Sequence, residues 1–405
     1  MDEGDLLELN IKSASVELSI KWSDRLNKPI VQSYKVTVNK SPLAVIGCSL
    51  DGANTWLTDI HPNHPFLKTT PGLKTRIHYI DKQIGCLQGR NMALPWWNKG
   101  IGIDFKDSVN HFDYQEGEDH MPLQKLSAAM IALGACLKDE LERFRYVGPI
   151  RQAPARNYIP PKSHNESRWA CGLGAWDALV RNKALRQEVS TWLGNDNHLD
   201  TGYKIDWHSY RELDDDTYNR MRLAAQNNEL DDKYLQYAEN LPVQQGRLVI
   251  LDTKKELQLS PCDLGEGISQ VVPVVAASLD RNAVTPSGDP TDTGLVAIEQ
   301  PELHIHPRMQ VVLGDLFLSQ CKKRQFLIET HSEHIMLRLM RRVRETADNE
   351  LPIEAPEATL NDVAVYYVEP SNGTAKITKL RISEDGEFKD PWPKGFFAER
   401  IKELL

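Results

Sequence analysis

The sequence predicts an α/β protein built on a parallel sheet, with an antiparallel β N-terminal part and a helical insertion. Three observations predict it. First, two short apolar runs at residues 295–298 and 326–328 each end in an acidic residue followed by a polar loop. Second, the segment between them spaces Met309, Val312, Leu313, Leu316 and Phe317 as one apolar face of a helix. Third, Val16, Leu18, Ile20 and Trp22, then Tyr34, Val36 and Val38, alternate with polar residues as half-buried strands do. Strand, helix, strand is the βαβ unit, and parallel sheets bind ligands beyond the carboxyl ends of their strands. Those ends carry Glu299, Gln300 and Glu302 on one strand, and Glu329, Thr330 and His331 on the other.

The remaining elements follow in order. Residues 51–75 are diluted by Gly, Asn, Pro and His and predict a long loop or an irregular edge. Leu126, Met130, Leu133, Leu137 and Leu141 predict a helix over 123–144, running into a short strand at 145–150 and a Pro-rich loop from Arg151 to Arg156. Residues 169–193 and 214–240 read as helical, with a β-like section near 204–207; together they form the insertion. A strand at 247–252 precedes the glycine-bearing loop 265–270, and the apolar run 271–277 opens a helix. After His331 a helix has one face of Ile335, Met336, Leu339, Met340 and Val343, with arginines mostly on the other. Residues 363–368 read as a buried strand, and the aromatic tail ends in a short helix. The expected domains are 1–122, antiparallel β; 123–244, helical insertion; 245–345, the βαβ region; and 346–405, a small C-terminal domain.

Composition narrows the class. The chain has 405 residues, 40% hydrophobic and 26% charged, which is enough for two or more domains with their own cores. A net charge of −9 argues against a mainly electrostatic nucleic-acid binder, though it leaves room for a local basic patch. Six scattered cysteines (Cys48, Cys86, Cys136, Cys171, Cys262 and Cys321), with no C-x-x-C pair, suit a reducing cytosol. The acidic N-terminus has no apolar core of a signal peptide, and no apolar run approaches the ~20 residues of a membrane span. A cytoplasmic protein is expected.

Three stretches carry candidate chemistry. An apolar strand ending in Glu299-Gln300 is how many NTPases hold Mg²⁺ and position an attacking water, with Glu299 on the metal side and Gln300 on the water side. An exposed acidic loop after a strand is the plainer reading. In Gly265-Glu266-Gly267-Ile268-Ser269-Gln270, glycines let the backbone approach a ligand, and Ser269 is placed to N-cap the next helix, with Pro273 in its first turn. A glycine turn before a buried helix explains the same residues. His331 at a strand end can reach a terminal phosphate, while Thr330-x-x-Glu333 also reads as a structural capping box. His304, His306, His331 and His334 raise a metal-dependent hydrolase as a third reading, but their spacing matches no zinc motif.

In this order the stretches resemble the C-terminal half of an ABC-type ATPase head of the AAA family, related to the structural-maintenance and OLD ATPases. GEGISQ is similar to the ABC signature, VAIEQPELHIHP to the Walker B strand with its D-loop, and IETHSEH to the switch-histidine loop. EQPELH-x-HP, ETHSEH, YVGPIRQAPARNY and DGEFKDPWPKGFF further resemble one bacterial branch with a small C-terminal domain of unknown function. The resemblance covers roughly residues 145–405. It implies a P-loop NTPase-like parallel sheet, ATP and Mg²⁺ as cofactors, and Glu299 as the Walker B carboxylate. It also implies Gln300 where many relatives carry a water-polarising glutamate, and His331 as the switch histidine. Gly265, Gly267, Ser269 and Gln270 would contact nucleotide held by an opposing subunit, hence a dimer or a heteromer. An association with bacterial anti-phage defence comes with the same resemblance.

Two departures qualify it. Gln300 is an amide and cannot accept a proton, so slow turnover is expected, with Glu302 as a candidate substitute. The phosphate-loop pattern G-x-x-x-x-G-K-[ST] does not occur; the nearest stretch, Gly72-Leu73-Lys74-Thr75, lacks its glycines and a preceding apolar strand. The expectation is therefore an ATPase head whose phosphate loop lies elsewhere, in a partner or in a longer product. The alternative is a non-catalytic scaffold or sensor.

Overall fold

Alternating residues near the N-terminus pair into antiparallel structure. The computed structural model describes residues 11–61, 64, 92–95, 97, 121–156, 158–163, 165–210, 213–227, 232–240, 245–280, 294–371 and 373–391. It divides the chain into two compact units, Met1–Leu141 and Glu142–Leu405. The first holds β1 (Ala14–Ser23), β2 (Lys28–Val38), β3 (Ser41–Cys48) and β4 (Thr55–Ile60), an antiparallel meander in sequence order. β2 opens earlier than its alternation suggests, because Lys28 and Pro29 pair with Ser23 and Trp22. A proline is tolerated there because it falls at the start of the strand. Tyr34, Val36, Val38, Leu43 and Ile46 form a core with Leu126 and Met130 of α1 (Met121–Arg143), and the Tyr34 hydroxyl donates to the Met130 carbonyl at 2.6 Å. The Gly72–Thr75 stretch lies outside the described residues.

The second unit begins with β5 (Arg145–Val147), cut short by Gly148-Pro149, and a 3-10 turn at Glu166–Trp169. The helix expected over 169–193 is two: α2 (Leu173–Arg181) and α3 (Lys183–Gly194). Asn182 divides them, since its extended backbone ends α2 while its side chain accepts from the Leu185 N–H at 3.1 Å to start α3. The β-like section is β6 (Tyr203–Tyr210), longer than expected. Next come α4 (Asp215–Gln226), N-capped by Asp214, α5 (Asp232–Asn240), β7 (Gln245–Asp252) and β8 (Leu257–Leu259). β6, β7 and β8 form one antiparallel sheet, so strands from either side of residue 244 pair along their full length.

At the centre lies α6 (Glu266–Leu279). Val271, Val272, Val274, Val275, Ala276, Ala277 and Leu279 are all buried, so the helix is apolar on every side and must be enclosed. It packs among α2, α3 and β5, and against β9 (Leu295–Glu299). Then follow α7 (Pro307–Gln320), β10 (Gln325–Glu329) and α8 (Glu333–Ala347), which complete the expected βαβ unit. β10 is half exposed, with Leu327 on its open face. The strand read as buried at 363–368 is instead β11 (Val365–Ser371), paired in a hairpin with β12 (Thr374–Leu380); Tyr366 and Val368 are exposed, as its strict alternation requires. The last turn described is closed by Gly386 (φ +70°), whose missing Cβ leaves room for the Met340 carbonyl of α8. The final helix expected beyond it lies outside the described residues. Among the described residues, no helix is long and apolar enough to cross a membrane.

The C-terminus of α6 is fixed by charge. Arg145 donates to the Asp280 carboxylate at 2.9 Å, both side chains being almost fully buried, and its guanidinium lies 4.0 Å over the Trp169 ring. Arg324 donates to the carbonyls of Ala277, at 3.0 Å, and Asp280. Asp280→Ala is expected to lower the unfolding free energy by about 3 kcal/mol in urea titrations, because Arg145 would be left charged and buried with only the longer pairing to Glu166, at 3.7 Å. On the surface, hydrogen bonds from Arg381 hold the Asp390 carboxyl down to about 2. The pair's contribution is complete above the usual carboxylate range and is lost as pH falls through about 2. NMR titration should show this midpoint, and Arg381→Gln should return it toward 3.8.

Candidate functional site at the parallel strand edge

The three strands β5, β9 and β10 run parallel in the order β10–β9–β5. Glu329 is level with Glu299, and Val147 with Ile298, so three loops leave the sheet at one edge. Parallel strands carry their connections away and back, which is why chemistry collects at this end. Glu299, Gln300, Glu302 and His331 are thereby gathered within two adjacent loops.

Tyr146 on β5 is level with Ala297, two residues before Glu299, and so shares its face. Its hydroxyl donates to Glu299 Oε1 at 2.9 Å, and this bond, with some burial, pushes the phenol pKa up. Gln300 adopts a left-handed backbone, φ +44°, which an L side chain rarely takes. Its N–H donates to the Glu329 carbonyl at 2.9 Å, and its carbonyl accepts from Arg151 Nη2 at 3.0 Å. Such a conformation persists where the surroundings over-determine it. Both oxygens of Glu302 are engaged, accepting from Thr330 Oγ1 at 2.8 Å and from the His331 N–H at 2.7 Å. This carboxylate ties the loop after β9 to the loop after β10. The His331 imidazole is mostly exposed, 3.2 Å from Glu329 Oε1.

The capping expectations change here. Ser332, not Thr330, N-caps α8: its hydroxyl accepts from the Ile335 N–H at 3.2 Å and donates to Gln310. Thr330 Oγ1 faces Glu302, so the capping box read from Thr330 and Glu333 does not form. Likewise, Ser269 is not an N-cap. α6 starts at Glu266 with Gly265 as its cap, Ser269 is buried with its hydroxyl donating to the Glu266 carbonyl at 2.8 Å, and Pro273 lies in the helix interior. Two glycines make the sequence look like a loop, but the close approach of another backbone explains Gly267. A Cβ there would lie 2.5 Å from the His304 carbonyl oxygen, His304 itself being left-handed at φ +61°. Gly265, by contrast, is exposed with nothing near its Cβ position.

Gln270 is buried and turned inward, its amide spanning the Arg151 main chain: Oε1 accepts from the Arg151 N–H at 3.1 Å, and Nε2 donates to its carbonyl at 2.6 Å. The Arg151 guanidinium, also buried, donates to the carbonyls of Gln270, Glu299 and Gln300. Burial pushes its pKa down to about 10, which leaves it charged at neutral pH. Tyr146 and Arg151 are the residues that sequence reasoning passed over. The available signal was an arginine two residues after Gly148-Pro149, just beyond a strand ending at the same edge.

The histidines do not converge. His304 pairs with Glu266 at 3.2 Å, and His306 Nδ1 accepts from the Arg308 N–H at the start of α7. His331 and His334 line a hollow with Pro307, Gln310, Ser332 and Glu333. Among the described residues, no group of three or more His, Cys, Asp or Glu side chains is arranged to hold a metal. A cage-type metal hydrolase therefore has no support in this geometry. Mg²⁺ on a nucleotide needs no such cage, since one carboxylate with phosphate oxygens and waters suffices, and Glu299 fits that requirement.

Residues 188–336 match the AAA ATPase domain family. Over that segment the chain is similar to an AAA ATPase domain. Residues 359–405 match a protein family of unknown function, DUF3696, so the small C-terminal domain expected from the tail motif is present as well. The matched ATPase segment includes GEGISQ, the Glu299 strand and the His331 loop. No curated protein matches the chain. One solved SMC ATPase chain, described for ATP-driven dimerization and DNA-stimulated activation, is 10% identical, covering 57% of this chain and 96% of that one with a TM-score of 0.30. A likeness that loose carries no inference about activity.

Gly267→Ala is expected to lower stability by about 1–3 kcal/mol in thermal or urea unfolding, because the clash with His304 outweighs the helix propensity gained. Gly265→Ser, at the open cap, should be neutral or slightly stabilising.

Proposed function

We propose that the edge formed by β5, β9 and β10 is the hydrolytic half of an ATP site of the ABC type, completed at an interface with another protomer or partner. The observation that carries this is the level ending of β9 and β10, which sets Glu299, Gln300 and His331 beside one another on an AAA ATPase domain. Glu299, steadied by Tyr146, is the metal-side carboxylate. Gln300 orients the attacking water through its amide but takes no proton. His331, exposed beside Glu329, is the group that reaches a terminal phosphate. Glu302 reads better as a positioning residue than as a substitute base, since Thr330 and His331 occupy both its oxygens. Bound Mg²⁺ would neutralise charge on the phosphates.

Nucleotide on the opposing subunit would meet the exposed start of α6 at Gly265 and the neighbouring main chain, because Ser269 and Gln270 are committed to contacts within this chain. The phosphate loop, for which these 405 residues contain no motif, is supplied from outside this sequence. In this reading residues 245–345 carry Glu299, Gln300 and His331, β5 and Arg151 support them from outside that range, and residues 346–405 form a small C-terminal domain. Gln300 favours one other reading, a non-catalytic scaffold or sensor that keeps the partner contacts without turnover.

The test mixes this chain with the protein encoded just upstream and measures Mg-ATP hydrolysis. Turnover should require both proteins, fall by about 100-fold or more in Glu299→Ala and in His331→Ala, and rise in Gln300→Glu by about tenfold or more. Hydrolysis indifferent to Glu299 and His331 would sink the proposal. Partner binding with no turnover in any variant would establish the scaffold.

A further inference from the structure

We infer that Arg151 is a positioning residue that couples α6 to the loop after β9, so that movement of the α6 N-terminal half is transmitted to Gln300. Arg151 belongs mechanically to both segments. Its main chain is held at N–H and carbonyl by the single Gln270 amide, so this residue and the second turn of α6 move as one body. Its guanidinium then crosses to the carbonyls of Glu299 and Gln300, the two residues on either side of the strand end. No hydrogen bond joins Gln270 to Gln300 directly among the described residues; the path runs through Arg151.

Geometry gives the coupling a sensitive target. Gln300 is held left-handed from two sides, by Glu329 on its N–H and, on its carbonyl, by Arg151 at 3.0 Å and the Leu303 N–H at 3.2 Å. Withdrawing one hold releases a strained backbone, not a relaxed one. Arginine suits the role because its planar fork holds α6 and the loop at once, Nη1 donating to the Gln270 carbonyl and Nη2 to those of Glu299 and Gln300, whereas a lysine ammonium is a single point on a flexible stem. At the other end, the first turn of α6 rests on the next part of the same loop, where Gly267 faces the His304 carbonyl. The two contacts bracket the segment from Glu299 to His304. The consequence for ATP rests on the reading above: a ligand or partner seated at the start of α6 would adjust the water-positioning residue of the same chain without touching it.

The experiment uses the full chain with Arg151→Met, Arg151→Lys and Gln270→Ala, followed by hydrogen exchange of backbone amides. Peptides spanning 299–305 should exchange about tenfold faster in Arg151→Met and in Gln270→Ala, with α7 and α8 within about twofold of the parent and Arg151→Lys in between. Gln270→Ala is decisive, because among the described residues its side chain hydrogen-bonds to Arg151 and not to the loop after β9, and it serves if Arg151→Met fails to fold. Unchanged exchange at 299–305 in Gln270→Ala, or equal loosening of α7 and α8, would overturn the coupling. In the hydrolysis assay with the upstream partner, Arg151→Met should lower kcat by about tenfold while KM for ATP is unmoved. A change in KM alone would overturn it. If the parent shows no hydrolysis, the ATP-site reading fails while the exchange result still decides the coupling.

Discussion

A helix with no polar side imposes the main constraint on the second unit. α6 buries valines and alanines around its whole circumference, and no arrangement that leaves one flank wet would be stable. Sheet, helices and the strand edge are consequences of enclosing it. Enclosure creates a second problem, because helix ends and their connecting loops bring main-chain polar groups inside. Arginines solve it at both ends: Arg324 donates to carbonyls at the C-terminus, where Arg145 pairs with the Asp280 side chain, and Arg151 donates to the Gln270 carbonyl nearer the start. The same side chain that satisfies buried carbonyls near α6 therefore shapes the candidate edge.

That edge is more a backbone construction than a set of free side chains. Glu302 holds two loops together, Tyr146 steadies Glu299, and Arg151 and Glu329 fix Gln300. The side chain left most open is His331. Pre-organised main chain of this kind suits chemistry in which positioning contributes more than proton transfer, as in phosphoryl transfer.

Much of this was legible in residues 294–334, where two apolar runs and a 3.6-residue period give strand, helix and strand almost to the residue. The family could be read there too, since motif order survives even where single motifs are weak. Local signals misled where distant contacts decide. Gly267 looked like loop because its reason is a carbonyl far along the chain, and Thr330 looked like a cap because Glu302 is not its sequence neighbour. Asn182 could have been seen, being a cap residue inside an otherwise continuous helical pattern. Arg151 could not be assigned by any periodicity. Its partners are main-chain carbonyls, which leave no mark in a sequence.

The meeting of Gly267 with the His304 carbonyl bears on how such motifs are inherited. Neither GEGISQ nor PELHIH has its observed shape alone, because each is moulded on the other's backbone. A side chain gained at 267 would demand a new path at 304, and a change of path at 304 would open a void beneath 267. The two segments should therefore travel through descent as one piece, and a graft that moved only the glycine stretch to a new scaffold would carry the letters without the form.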